Sequence, residues 1–118
     1  MTFLLIFLGG GLGAIARYAL ALLIPHTEGK IPYAILVSNL LGCFLIGIAY
    51  GAIKSHHPQW AYPLIITGFL GGFTTFSSFA LDTHNHITGG FHGVALVYIA
   101  ITVIGGLSLT YLGIKLTA

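Results

Sequence analysis

Two phenylalanines and three hydroxyl side chains lie close together in one apolar run, and together they could handle an ion. Phe76 and Phe79 are three residues apart, so on a helix their rings share one face. Aromatic ring edges carry positive partial charge and can favour an anion, and the hydroxyls of Thr75, Ser77 and Ser78 can donate hydrogen bonds to it. The same spacing would also suit ordinary core packing or lipid contact.

The glycine pair Gly71-Gly72, just before these residues, predicts a break in the helix that carries them. Glycine weakens a helix by roughly 1 kcal/mol relative to alanine, and a break at membrane depth frees backbone groups that then need partners. Freed carbonyls at the end of the first half could hold a cation, and freed N–H groups could face an anion. We therefore expect a broken helix that lines a pathway.

A few other polar side chains lie inside apolar runs, and each has a structural alternative. Arg17 could face an aqueous vestibule that attracts anions, or it could pair with one of the two acidic residues. Asn39 could donate from its amide to an anion, or it could join two helices. Tyr98 and Thr102, four residues apart, could form a lane of hydroxyls or serve helix packing.

The composition indicates an integral membrane protein. Of 118 residues, 57% are hydrophobic and 5% are charged, which is too few charges to solvate the surface of a soluble domain. The four basic residues form no patch that would suit nucleic acid. No pairing of nucleophile with base and no phosphate-binding loop is recognisable, so an enzyme is not expected.

Four apolar runs predict an all-α fold of four transmembrane helices in a single domain, residues 1–118. Each run has about 20 residues, enough to cross a hydrocarbon core of roughly 30 Å. The first run is expected to stay in the mature protein, because no basic segment precedes it. The runs are residues 3–24, 32–53, 62–81 and 94–116, joined by residues 25–31, 54–61 and 82–93.

The charged residues of the connections give little preference for one orientation in the plasma or inner membrane. Lys54 and Lys115 fall on the side of the two termini, and Lys30 falls on the other. A chain with so small a bias can insert both ways, and two copies could pair antiparallel, although one extra lysine could also fix the orientation. The motifs Gly9-x-x-x-Gly13 and Gly47-x-x-x-Gly51 could serve such pairing or only packing within one chain.

The histidines do not form a recognisable metal site. All of them lie in or beside predicted connections, and none has a cysteine nearby or the spacing of zinc ligands. His84 and His86 could meet on a metal only by chance. The histidines are His26, His56, His57, His84, His86 and His92.

Three motifs in order make the chain resemble the Fluc (CrcB) family of fluoride channels over nearly its whole length, and the third motif is the most specific. The chain departs from the family pattern at Ala34-Ile35, where Gly-Thr is common, at Cys43, where serine is common, and at Ser78, where threonine is common. The motifs read Gly9-Gly10-x-x-Gly13-Ala14-x-x-Arg17-Tyr18, Val37-x-Asn39-x-x-Gly42-x-Phe44-x-x-Gly47 and Gly68-Phe69-x-Gly71-Gly72-x-Thr74-Thr75-Phe76-Ser77-x-Phe79.

The resemblance implies a passive fluoride exporter that works as an antiparallel, dual-topology homodimer with two pores. It also implies a structural sodium ion at the dimer axis, bound by the backbone carbonyls of Gly71 and Thr74 from each subunit. The implied partners are fluoride, a second copy of the chain and lipid. The residues implied for the fluoride path are Phe76, Phe79 and Asn39, with Ser77, Ser78, Thr75, Tyr98 and Thr102 as polar lining and Arg17 towards the vestibule.

The residues alone leave two other functions open. A small dual-topology multidrug or cation exporter would need an acidic residue inside the membrane, whereas Glu28 is predicted in a loop and Asp82 at a helix end. A non-conducting structural subunit of a larger complex would not need a polar, broken third helix. Fluoride release from proteoliposomes without proton or ATP coupling separates a channel from both.

Overall fold

The computed structural model describes residues 1–55 and 58–118, and this part of the chain is helical, without strands. His56 and His57, predicted in a connection, lie outside the described residues. Four helical stretches are long and apolar enough to cross a membrane: Thr2–Leu23, Tyr33–Ser55, Tyr62–Thr88 and His92–Thr117. The prediction of four transmembrane helices is confirmed, and the chain is a multi-pass membrane protein.

The first two spans are single α-helices close to the predicted runs. Helix α1 covers Thr2–Leu23 and helix α2 covers Tyr33–Ser55. The connection between them turns at Gly29, whose φ of 78° lies in the region that favours glycine. Pro32 then precedes α2, where a residue without an N–H costs no helical hydrogen bond.

The third span consists of two helices, and the extended residues between them are not the ones predicted. Helix α3 (residues 62–73) has a π-helical part, Tyr62–Leu70, and one α-helical turn, Gly71–Phe73. Helix α4 covers Phe76–Thr88. Thr74 (φ −87°, ψ 152°) and Thr75 (φ −149°, ψ 113°) are extended.

The prediction of a break at Gly71-Gly72 is wrong in position, because both glycines are helical. Gly72 packs so closely on α1 that an added Cβ would collide with the carbonyl of Gly10, so glycine serves close packing here. Thr74 and Thr75 are β-branched residues, which favour extended backbone. The backbone therefore passes from helical to extended at Thr74, two residues after the glycine pair.

The predicted connection over residues 82–93 is also wrong, because most of it is helix. Helix α4 continues to Thr88, and the last helix, α5, starts at His92. Hydropathy marks the apolar part of a helix and misses a polar last turn. The turn at residues 89–91 contains Gly90, whose φ is 85°. Asp82, His84 and His86 therefore lie on a helix.

Helix α5 (residues 92–117) completes the fold and packs along α2. It has two α-helical parts, His92–Ala100 and Gly106–Thr117, joined by a π-helical turn at Ile101–Gly105. Helix α1 packs along α3 in the same way. Among the described residues, the buried apolar core centres on Leu36, Phe79 and Tyr98, where α2, α4 and α5 meet.

The glycine motifs bring helices together within one chain. A Cβ on Gly9 or Gly13 would collide with the backbone of α3, and a Cβ on Gly47 would collide with the backbone of α5 near Thr110. Gly51 packs against Thr117. Because these surfaces are already covered, the glycine motifs give no argument for association between two chains.

We expect Gly13→Ala to destabilise the protein. The added methyl group would collide with the Phe69 carbonyl, and overpacking of this kind costs about 1–3 kcal/mol of the free energy of unfolding. Gly11→Ala is the matched control, because nothing lies within 4 Å of its Cβ position. Thermal unfolding in detergent should show a lower midpoint for Gly13→Ala alone. Equal midpoints for the two variants would contradict the packing of α1 on α3.

Candidate functional site

An open cavity of about 350 Å³ lies beside the extended Thr74-Thr75 segment. Its wall combines two aromatic rings with threonine hydroxyls, a carboxamide and a thiol, and none of its lining residues is charged. Such a wall offers dipoles rather than full charges to a small ion. The lining residues are Asn39, Cys43, Thr74, Thr75, Phe76, Phe79, Thr102, Val103, Gly106, Leu107 and Thr110.

Asn39 holds the extended segment in place. Its Oδ1 accepts a hydrogen bond from the Thr75 N–H at 2.7 Å, and its Nδ2 donates to the Thr75 carbonyl at 3.1 Å. One side chain on α2 thus satisfies both backbone groups of a residue 36 positions later. Each of these groups would cost about 1–3 kcal/mol if it stayed buried without a partner. Asn39 is 8% exposed, joins two spans and lines the cavity as well.

The Asn39 bond also changes the surroundings of the Gly71 carbonyl. In a continuous α-helix, the N–H of residue 75 would donate to the carbonyl of residue 71. Here the Thr75 N–H donates to Asn39 instead, so the Gly71 carbonyl lacks its usual helical donor. The Thr74 N–H still follows the helical pattern and donates to Leu70 at 3.0 Å.

Arg17 contacts the same end of α3. Its Nε donates a hydrogen bond to the Gly72 carbonyl at 3.1 Å. A cation is favourable there, since the last carbonyls of a helix carry partial negative charge. Within residues 1–55 and 58–118, Arg17 makes no ion pair with Glu28 or Asp82, which was the structural alternative. Its predicted place at an aqueous vestibule stays a prediction.

Three aromatic rings form a line from the open side of the cavity into the core. The ring centroids of Phe76 and Phe79 are 5.6 Å apart, and those of Phe79 and Tyr98 are 5.0 Å apart in an edge-to-face arrangement. Phe76 is 77% exposed, whereas Phe79 is buried and Tyr98 is 0% exposed. The line therefore has one end buried in the chain and one end uncovered.

The hydroxyls near the cavity differ in what they already bind. Thr75 Oγ1 caps α4 by accepting the Ser78 N–H at 3.1 Å, and it lies 3.2 Å from Ser77 Oγ. Thr102 Oγ1, in the π-helical turn of α5, is buried and has no hydrogen-bond partner among the described residues. A buried hydroxyl without a partner is uncommon, and π-helical turns often occur at functional sites. Among the described threonines of the cavity wall, Thr102 is thus the one whose hydroxyl is not already hydrogen-bonded.

The structure brings together only part of the predicted site. Asn39, Thr75, Phe76, Phe79 and Thr102 line the cavity. Ser77, Ser78 and Tyr98 do not line it, and Tyr98 lies behind Phe79 with its hydroxyl directed at Asp82 Oδ2, 3.4 Å away.

Two threonines on the cavity wall were missed by the sequence reasoning. Thr110 lies eight residues after Thr102, a spacing that returns to the same helix face and could have indicated it. Thr110 also donates a hydrogen bond to the Cys43 carbonyl at 3.0 Å. Thr74 was predicted only as a source of a carbonyl, whereas its side chain donates to the Leu70 carbonyl at 2.9 Å.

Asp82 lies within α4 and not at the predicted helix end, and it is half-buried there. The argument against a cation exporter placed Asp82 at a helix end, and that premise is wrong. The relatives of the chain distinguish an ion channel from a cation exporter.

The family described as "CrcB-like protein, Camphor Resistance (CrcB)" matches residues 4–114. The chain belongs to the CrcB family. A CrcB relative in Ralstonia pickettii (strain 12J), named fluoride-specific ion channel FluC, is 42% identical over 116 residues, which cover 96% of this chain and 91% of the relative. The resemblance to Fluc (CrcB) proteins is confirmed.

Two further CrcB relatives carry the same name, fluoride-specific ion channel FluC. The one from Burkholderia thailandensis is 42% identical over 111 residues, which cover 92% of this chain and 86% of the relative. The one from Leptospira interrogans serovar copenhageni is 40% identical over 118 residues, which cover 96% and 91%. These names describe ion channels, which supports the prediction that the chain is not an enzyme.

Cys43 is the cavity residue at which this CrcB chain departs from the common serine, and we expect Cys43→Ser to raise ion flux. A thiol is a weak donor, so the serine hydroxyl adds a hydrogen bond of about 1 kcal/mol, or roughly fivefold in rate. Cys43→Ala is the control, because it removes the thiol without adding a donor. Equal fluoride efflux from liposomes containing the serine and alanine variants would mean that residue 43 only packs.

Proposed function

We propose that the chain is a passive fluoride channel of the cell membrane that lets fluoride leave the cell. One observation carries the proposal: an uncharged cavity of aromatic, hydroxyl and amide groups lies beside the Thr74-Thr75 segment in a chain whose relatives are named fluoride-specific channels. Asn39, Phe79 and Thr102 supply the donors and ring edges of this cavity.

The chemistry of the cavity suits a small, strongly hydrated anion. A pore for such an ion must replace water with donors and still release the ion again. Thr102 Oγ1 has no hydrogen-bond partner within the described part of the chain, and Asn39 uses one of its two amide hydrogens on Thr75, which leaves the other. Ring edges of Phe76 and Phe79 add weak positive potential. Because no lining residue is charged, the anion meets no full charge that would trap it.

We propose that two copies pair antiparallel and that each copy completes the pathway of the other. Phe76 is 77% exposed at the open side of the cavity, so four helices leave one wall missing. The near balance of Lys54 and Lys115 against Lys30 supports insertion in both orientations. In a two-fold symmetric dimer, every contact between the two chains occurs twice. Such a dimer would therefore have two equivalent pathways.

We propose a structural sodium ion on the two-fold axis, bound by the Gly71 and Thr74 carbonyls of both copies. The fit is supported by the Gly71 carbonyl, which lacks its helical donor because the Thr75 N–H is bound to Asn39. Carbonyl oxygens are suitable ligands for a hard cation. The guanidinium of Arg17 on the next carbonyl opposes a cation, so carbonyls from both copies would be needed to offset it.

Passive efflux from proteoliposomes tests the proposed function. Vesicles loaded with potassium fluoride should release fluoride once valinomycin carries potassium out, without a proton gradient and without ATP. Vesicles loaded with chloride serve as the control for selectivity. Release that requires a proton gradient would favour an exporter, and no release from a correctly folded protein would contradict the channel.

A further inference from the structure

His86 is a buried histidine whose two ring nitrogens both face backbone carbonyls. Nδ1 lies 2.7 Å from the Asp82 carbonyl oxygen, and Nε2 lies 2.9 Å from the Lys30 carbonyl oxygen. The residue is only 4% exposed. Asp82 is one turn earlier on α4, and Lys30 belongs to the connection between α1 and α2. The ring therefore ties this connection to α4.

Only the protonated ring satisfies both contacts of His86. A carbonyl oxygen accepts hydrogen bonds and cannot donate one, and a neutral imidazole has a single N–H. A neutral ring would turn one nitrogen lone pair towards a carbonyl oxygen in a buried site, which is unfavourable. The imidazolium form donates from both nitrogens, to Asp82 and to Lys30.

The groups around His86 bring charges of both signs. Asp82 and Glu28 are acidic, and the ring centroid of His26 lies 6.2 Å from that of His86. The titratable groups that adjoin His86 come from three elements: Asp82 on α4, Tyr98 on α5, and His26, Glu28 and Lys30 in the α1–α2 connection.

A continuous line of contacts joins His86 to the cavity. His86 is bonded to the backbone of Asp82, and the carboxylate of Asp82 lies 3.4 Å from the Tyr98 hydroxyl. The Tyr98 ring packs edge-to-face on Phe79 at 5.0 Å, and Phe79 lines the cavity. Two side chains, those of Asp82 and Tyr98, thus lie between His86 and the cavity wall at Phe79.

We propose that His86 is a positioning residue for ion conduction. As an imidazolium it locks the α1–α2 connection onto α4 and holds the Asp82–Tyr98 pair behind Phe79, and conduction falls as the ring loses its proton. The inference rests on the proposed fluoride channel, and it adds a pH-dependent residue that lies outside the cavity. His84 is the natural comparison, because it lies on the same helix and is exposed.

Fluoride efflux measured from about pH 5.5 to about pH 8.5 tests the inference, because this range covers histidine titration. Wild-type efflux should fall roughly tenfold towards high pH, His84→Gln should follow the wild type, and His86→Gln should have a flat profile. Efflux from protein-free vesicles at each pH is subtracted, which removes leakage of hydrogen fluoride. A His86→Gln profile that matches the wild type would overturn the inference.

Hydrogen–deuterium exchange of residues 25–32 gives a second measurement that does not need conduction. At low pH this connection should be protected in the wild type and in His84→Gln, and should exchange at least tenfold faster in His86→Gln. If His86→Gln does not fold, the wild type alone is compared at low and high pH, after correction for the ordinary rise in exchange rate with pH. Loss of protection at high pH supports the inference, and unchanged protection overturns it. If protection of residues 25–32 depends on His86 but the protein releases no fluoride, the proposed channel is contradicted. The role of His86 in holding this connection to α4 is then still supported.

Discussion

Phe79→Ile should reduce fluoride efflux by roughly 10- to 100-fold while the protein stays folded. Isoleucine keeps apolar bulk but removes the ring that contacts both Phe76 and Tyr98. Each aromatic pair is worth about 0.5–1.5 kcal/mol, and the loss of two pairs corresponds to that range of rates. Phe76→Ile should have an effect in the same direction, since it removes the exposed ring of the line.

Phe69→Ile is the matched control for these two variants. Phe69 stacks on Phe73 with ring centroids 6.0 Å apart, and neither ring lines the cavity. All three variants replace phenylalanine with isoleucine. If the substitution acted only by disturbing the fold, Phe69→Ile would therefore lower fluoride efflux as well. Fluoride efflux from proteoliposomes at equal protein density is the measurement. Unchanged efflux in both Phe76→Ile and Phe79→Ile would rule out the aromatic pathway.

Asn39→Ala should abolish most of the fluoride efflux and also destabilise the chain. The substitution leaves the N–H and the carbonyl of Thr75 without partners, at a cost of about 1–3 kcal/mol for each group. If the segment becomes helical, the Thr75 N–H can bond to the Gly71 carbonyl, and Thr75 then leaves the cavity wall. We expect a loss of flux of at least about 100-fold from a destabilisation of this size.

Ser38→Ala provides the control for Asn39→Ala. Ser38 is the neighbouring buried polar residue on α2, but its hydroxyl donates to the Ala34 carbonyl of the same helix, at 2.8 Å, and not to another span among the described residues. Thermal unfolding in sodium and in potassium buffers measures binding of the proposed cation independently of fluoride efflux. Sodium should stabilise the wild type and Ser38→Ala but not Asn39→Ala. Normal efflux and normal stability of Asn39→Ala would contradict its role at Thr75.

Hydropathy was sufficient to predict the four spans, because a stretch of about 20 apolar residues has few alternatives to a transmembrane helix. It could not predict the end of α4, where Asp82 and His86 continue the helix after the apolar part has ended. The third motif indicated Phe76, Phe79 and Thr75, since neighbours in sequence on one helix stay neighbours in space. The pairing of Asn39 with Thr75 depends on how two spans pack, which local sequence does not encode.

Glycine was the least informative residue in the sequence. Small residues at a spacing of four permit close approach, but they do not say whether the approaching helix belongs to the same chain. The structure assigns Gly13 and Gly47 to contacts within the chain. A glycine pair likewise lowers helix stability without requiring a break, and Gly72 is helical where it packs against Gly10.

The hydrogen bonds between Asn39 and Thr75 have a consequence for biogenesis. Both partners belong to one chain, and α2 leaves the ribosome before the third span does. The hydrogen bonds that hold the extended segment therefore need no residue from outside the chain. In the proposed antiparallel dimer, each copy would therefore bring an extended segment that its own Asn39 already holds.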